Sequence, residues 1–134
     1  MNKSDLITFR TFVPDDRNLI LATFLRGLYY GESWFSLIDK NTFMNHYNKI
    51  VNAILDSPNT EVKIACLKED SNVVLGYAIY SKDALHWCFV KKGWRGIGLA
   101  RDLVPANLST VTHLTKLGVS ILHKKSLAFN PFLV

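Results

Sequence analysis

The chain has 134 residues, enough for one compact domain with a real core and too few for two. Hydrophobic residues make up 49%, which argues against disorder. No apolar run approaches the ~20 residues needed to cross a bilayer. The net charge of +5 suits a polyanionic ligand or partner, but no arginine-rich tail, dense basic helix or RNA-binding motif points to nucleic acid.

The start, Met1-Asn2-Lys3-Ser4-Asp5, lacks the long apolar segment of a secretory signal. Leu6 to Val13 alternates apolar and polar and predicts a first strand. Pro14-Asp15-Asp16 marks a turn and a helix start, with a helix expected from Asp16 to Tyr29 and Gly27 and Gly31 bracketing its frayed end. An aromatic loop, Gly31 to Phe35, follows. The second helix is the clearest: Phe43, Met44, Tyr47, Ile50, Val51, Ile54 and Leu55 fall on one face at helical period. Asp39 or Asn41 caps it, and Ser57-Pro58 stops it. Val62, Ile64 and Cys66 mark a second strand. Val73 to Tyr80 is apolar throughout, so it reads as a strand buried on both faces. Leu85 to Val90 is the next strand. Cys66 and Cys88 sit inside these strands, away from metal-ligand or disulfide spacing, so both read as reduced and the protein as cytosolic.

A basic, glycine-punctuated turn comes next, Lys91-Lys92-Gly93-Trp94-Arg95-Gly96-Ile97-Gly98, and then a helix from about Ile97 that Pro105 ends or bends. Glycines between a strand and a helix leave N–H groups unpaired and approachable, a recipe for holding a phosphate or pyrophosphate. The competing reading is a tight turn with no ligand. A P-loop needs Lys-Ser/Thr where Leu99-Ala100 stand, and a dinucleotide fingerprint needs a third glycine where Arg101 stands. Val111 to Leu114 reads as a short strand, Leu117 to Lys125 as a last helix, and Phe129 to Val134 as an apolar tail. Three strands joined by short turns imply an antiparallel meander, and the later strand–helix–strand implies a parallel pair.

Arg95-Gly96-Ile97-Gly98-Leu99-Ala100 resembles the Arg/Gln-x-x-Gly-x-Gly/Ala motif of the GNAT acetyltransferase superfamily. Val90 matches the apolar residue at the end of that family's fourth strand, and Gly76 resembles the glycine of its third. The resemblance spans about residues 6 to 125. It implies one α/β domain over 1–134: a GNAT-type mixed sheet with an antiparallel meander and a parallel strand pair splayed at a CoA site, its C-terminal strands truncated. It implies acetyl-CoA as acetyl donor, an amine acceptor (small molecule or protein), and no metal. The pyrophosphate would meet the main-chain N–H groups of Arg95, Gly96, Ile97, Gly98, Leu99 and Ala100. The Val90 main chain would face the pantetheine and acetyl carbonyl. Lys91, Lys92 and Arg101 would add charge for the phosphates.

The side-chain chemistry is less determined. His86 is a candidate base, expected on the face of Cys88 and Val90; the competing reading is a partly buried histidine satisfied locally. Glu32 is the alternative base, or an attractor for a cationic amine, or a solvated loop residue. Where the family often has an acidic tyrosine, His123 falls closest, and a surface histidine at a basic helix end competes. Cys88 reads as packing rather than nucleophile. His46 and His113 have no identifiable partner and read as structural. Tyr29, Tyr30, Trp34 and Phe35 cluster where the family builds its acceptor pocket. The short C-terminal side implies either an open pocket for a large acceptor or a partner chain, as in a homodimer, that completes it. The compact form with its Phe-Asn-Pro-Phe ending resembles short acetyltransferase-like proteins of tailed phages. The alternative function is a non-catalytic GNAT-fold protein that binds a partner protein.

Overall fold

The computed structural model describes residues 2–113 and 127–131. Strand β1 (Ile7–Thr11) leads into helix α1 (Arg17–Gly31), a 3-10 turn (Ser33–Leu37) and helix α2 (Lys40–Asp56). Strands β2 (Glu61–Leu67), β3 (Val74–Ser81) and β4 (Ala84–Val90) follow, then a short helix α3 (Leu99–Leu103) and the two-residue strands β5 (Thr110–Val111) and β6 (Ala128–Phe129). They form one sheet in the order β1-β2-β3-β4-β5-β6. The first four strands pair antiparallel, and the β4–β5 and β5–β6 pairs are parallel. The expected α/β mixed sheet is therefore present. The expected last helix lies outside the described residues.

Each helix boundary has a local cause. Arg10 grips the Asp16 carboxylate through two bonds of 2.7 and 2.8 Å, and Asp16 also accepts the Val13 N–H at 2.9 Å. Asp16, at the expected helix start, thus ties β1 to α1, and the Arg10 hydrogen bonds hold its carboxyl below the ordinary value. Asp39 caps α2 by accepting the Thr42 N–H at 3.0 Å. Helix α1 runs through Gly27 rather than fraying there. A Cβ on Gly27 would lie 2.8 Å from the Trp87 ring, so the glycine makes room for the indole of β4. α3 begins at Leu99, two residues later than expected, because Gly98 adopts φ 82°. It stops at Leu103, ahead of Pro105.

Two apolar layers sandwich the sheet. Ile20, Phe24 and Leu28 of α1 and Phe43, Val51 and Ile54 of α2 pack with Ile64, Tyr77 and Ile79 on one face. Leu99 and Leu103 of α3 pack with Ile7, Ala65, Leu75 and Ala78 on the other. β3 is buried on both sides, which is why its sequence shows no alternation. Tyr77 anchors α1 through Thr23 at 2.7 Å, and Arg17 ties α1 to Asn52 and Asp56 of α2.

Candidate functional site

The edge of β4 opens where β5 ends. β5 pairs β4 only at Ala84 and Leu85, and Thr112 N–H donates to the Leu85 carbonyl at 3.1 Å as the last rung. Beyond it, β4 keeps β3 on one side and, among the described residues, meets no strand on the other. Lys91 N–H donates to the Leu75 carbonyl of β3 at 2.8 Å, so ladder alternation turns the Val90 main chain to the open side. The Val90 carbonyl confirms this direction, since Arg95 Nε donates to it at 2.9 Å. Cys88, two residues back, presents its main chain the same way.

The turn beyond β4 is a cradle of main-chain donors. A 3-10 turn, Lys92–Trp94, is closed by Trp94 N–H donating to the Lys91 carbonyl at 2.8 Å. Gly96 and Gly98 both sit at φ 82°, a conformation that disfavours a side chain. A Cβ on Gly96 would meet nothing within 4 Å, so the space beside it is open. The Arg95 N–H, expected among the free donors, instead donates to the Lys92 carbonyl at 3.5 Å as the chain leaves the 3-10 turn, whereas no acceptor among the described residues meets the N–H groups of Gly96, Ile97 or Gly98. Leu99 and Ala100 open α3, where the first N–H groups lack helical partners. Arg95, Lys91, Lys92 and Arg101 are exposed around the turn, and the Arg101 guanidinium lies beside Gly98. These residues fit an anionic pyrophosphate: open donors, a glycine surface and surrounding cations.

Lys3 joins this group from far away in the chain. Its ammonium donates to the Gly93 carbonyl and lies 5.3 Å from the Trp94 ring centre. No local pattern around Lys3 could have placed it there.

The side-chain candidates are dispersed. His86 is the extra residue of an irregular register: Leu85 faces Tyr80, Trp87 faces Ile79, and His86 faces no β3 residue. The alternation that would set it beside Cys88 is therefore broken at His86 itself. It is 3% exposed, with Nε2 3.1 Å from Ser81 Oγ and Nδ1 2.8 Å from Thr112 Oγ1. Burial pushes its pKa down. Glu32 caps the Ser33–Leu37 turn by accepting the Ser33 N–H at 3.2 Å. His123 lies outside the described residues. Burial pushes the Cys88 thiol up to about 12, which keeps it protonated. Tyr29 and Phe35 belong to the core, whereas Tyr30 and Trp34 are 61% and 57% exposed. His46 is exposed, with its ring against Tyr47. His113 meets the Phe24 ring edge-on at 5.2 Å. A separate open cleft of about 640 Å³, lined by Glu61, Tyr80, Ser81 and Asn107 among others, lies at the opposite end of β4 from the glycine turn. Among the described residues no group of His, Cys, Asp or Glu could hold a metal, and no helix is long and apolar enough to cross a membrane.

This fold recurs in solved proteins. The chain matches a possible acetyltransferase from Clostridium difficile 630 with a TM-score of 0.56 at 14% identity, over 90% of this chain and 88% of that one. It matches a "predicted acetyltransferase" from Clostridium acetobutylicum, solved with acetyl-CoA, with a TM-score of 0.54 at 15% identity, over 96% and 94% of the two chains. An aminoglycoside N-acetyltransferase in complex with CoA gives 0.50 at 16% identity, over 90% and 87%. The fold is the GNAT fold. No family model matches the sequence, and a search of curated proteins finds no match. At these identities the GNAT likeness is one of architecture.

Proposed function

We propose that this GNAT-fold protein is an acetyl-CoA-dependent N-acetyltransferase that moves acetyl to an amine, on a small molecule or a protein, by direct attack. The reading is carried by one conjunction: N–H groups at Gly96, Ile97 and Gly98 that meet no acceptor among the described residues lie directly beyond the open edge of β4. A dinucleotide-sized anion with an amide-bearing arm needs both features at once.

Bound acetyl-CoA would supply an activated thioester carbonyl. The chain's part is to bind and orient. The N–H groups from Gly96 to Ala100 would hold the pyrophosphate, with Lys91, Lys92, Arg101 and the Arg95 side chain neutralising phosphate charge. The main-chain N–H groups of Val90 and Cys88 pair with the arm and stabilise charge on the acyl oxygen. Arg95 anchors the Val90 carbonyl and so fixes the strand end that carries these donors. Glu32 is placed between the two helices that cover the α1–α2 face, where a carboxylate attracts a cationic amine. No tyrosine replaces the family's acid between 117 and 125, and His123 is the candidate left for that role. A thiolate leaves well enough that weak protonation slows the step without abolishing it.

The test is turnover of acetyl-CoA with a panel of amines that includes peptides, read as release of free thiol. Amine-dependent thiol release is expected. Tight acetyl-CoA binding with no release on any amine would leave a ligand-binding, non-catalytic protein.

A further inference from the structure

We propose that Lys3 binds the phosphomonoester on the ribose of acetyl-CoA, so that the N-terminal turn and the glycine cradle grip the cofactor's phosphates together. This assignment rests on the acetyl-CoA reading and adds a determinant of cofactor choice: intact CoA over its 3′-dephospho form.

Lys3 is held in place by the fold. It opens a 3-10 turn, Lys3–Leu6, that leads straight into β1. The Leu6 carbonyl accepts the Lys68 N–H at 2.9 Å. The next residue, Ile7, pairs with Leu67 of β2 and is buried in the α3 layer. The turn is thereby tied to the end of the sheet where β3 begins and β4 stops. From there the Lys3 ammonium donates to the Gly93 carbonyl and lies over the Trp94 ring, 5.3 Å from its centre. Trp94 is itself packed against the α3 layer, so the platform under the ammonium is fixed.

These contacts position the ammonium without neutralising it. The carbonyl takes one of its three N–H groups and leaves two. Among the described residues no carboxylate lies within ion-pair distance of Lys3. The acid of its own turn, Asp5, accepts the Asn2 N–H at 3.3 Å instead. Lys3 is exposed, and a Cβ placed on Gly93 would meet nothing within 4 Å, so the surface beside that carbonyl is open.

The same imbalance runs through the glycine turn. Lys91, Lys92, Arg95 and Arg101 are exposed around it. Among the described residues the one carboxylate within ion-pair distance of any of them is Asp102, 4.0 Å from Arg101. A pyrophosphate brings about two negative charges, and a phosphomonoester adds about 1.5 to 2 near pH 7. Only the two together approach the positive charge gathered here. The reach also fits. Gly93 stands three residues before Gly96, a span of at most about 11 Å of chain. The pyrophosphate and the phosphomonoester of CoA hang from one ribose, so the cradle takes the first while Lys3 takes the second. An ammonium already held on a carbonyl and a ring loses little further freedom on binding.

Isothermal titration with acetyl-CoA and acetyl-3′-dephospho-CoA tests this. The wild type should bind acetyl-CoA about 10-fold more tightly than the dephospho form. Lys3→Met keeps the stem and removes the charge. It should weaken acetyl-CoA alone and so lose most of the preference, whereas Lys3→Arg should keep it. In the wild type the preference should also shrink as pH falls through about 6, where the phosphomonoester takes up a proton, and Lys3→Met should lack that dependence. Lys40→Met removes a cation outside the turn and should leave the preference intact. Equal weakening of both ligands by Lys3→Met would make Lys3 a clasp on Gly93 and overturn the proposal. A wild type without the preference, or an equal loss in Lys40→Met, would overturn it as well. A folded wild type that saturates with neither ligand would instead overturn the acetyl-CoA reading and take this assignment with it.

Discussion

Along the open edge of β4 and through the turn that follows it, the groups left open to a ligand are main-chain N–H groups. At the α1–α2 end of the molecule the solvent-facing groups are side chains: half-buried Glu32 and the exposed rings of Tyr30 and Trp34. The first region is shaped by backbone conformation, with two glycines at φ 82° and a strand whose neighbour stops after two rungs. The second is shaped by packing, with Phe24 between the Trp87 indole and the His113 ring. A backbone site tolerates changes in most side chains but not at its glycines. A packed site should fail wherever a large side chain is removed.

The largest effect should come from the packed side. Phe24→Ala removes a fully buried ring between two others and should cost about 3–5 kcal/mol in urea unfolding. A loss below about 1 kcal/mol would mean that the aromatic layer is not a core. On the backbone side, Gly98→Glu places a carboxylate in the cradle on a backbone that disfavours it. Acetyl-CoA affinity should fall at least about 100-fold, with the circular dichroism of the folded protein retained. Unchanged affinity would show that the cradle is only a turn.

Acid should then separate the two regions by stability. His86 and His113 both titrate below the ordinary value of 6.5 because burial disfavours the charged ring. Among the described residues His113 feels His86 of β4, while α2 presents the Tyr47 ring and α1 the Phe24 ring. The unfolded chain takes up their protons first. Stability is therefore full above about 6.5 and declines as pH falls towards about 4, by on the order of 3 kcal/mol for His113. Asp16 adds a further loss below its ordinary value of 3.8, as its bond to Arg10 is given up. A urea midpoint that is flat between pH 6.5 and 4.5 would contradict this ordering.

Smaller effects refine the boundary. Arg95→Ala frees the Val90 carbonyl and should weaken acetyl-CoA binding about 3- to 10-fold, without the collapse expected at Gly98. Trp34→Ser changes an exposed ring and should leave stability within about 0.5 kcal/mol and acetyl-CoA affinity unchanged. If Trp34 lines the acceptor pocket, the same change raises the acceptor KM. An effect on acetyl-CoA affinity would erase the division between the two regions.

This division also governs what the sequence disclosed. Backbone features leave local marks. The amphipathic run of α2, the apolar run of β3 and the spacing of Gly96 and Gly98 each lie within a few residues, and each was legible. Side-chain clusters leave none, because their members meet only after folding. Ser81, His86, Thr112 and His113 come from the end of β3, the middle of β4 and the segment after β5. The register irregularity at His86 undoes the very alternation that would have placed it. Lys3 reaches Gly93 across 90 positions. Gly27, expected to fray α1, instead admits the Trp87 ring, a contact visible only once β4 packs on the helix.

The central claim is that the turn and the open edge of β4 together bind acetyl-CoA. Isothermal titration of acetyl-CoA into the folded wild-type protein tests it most directly. Saturable one-to-one binding is expected, with a Kd on the order of 10 μM. No saturable heat at millimolar acetyl-CoA, from a sample whose circular dichroism shows it folded, would contradict it.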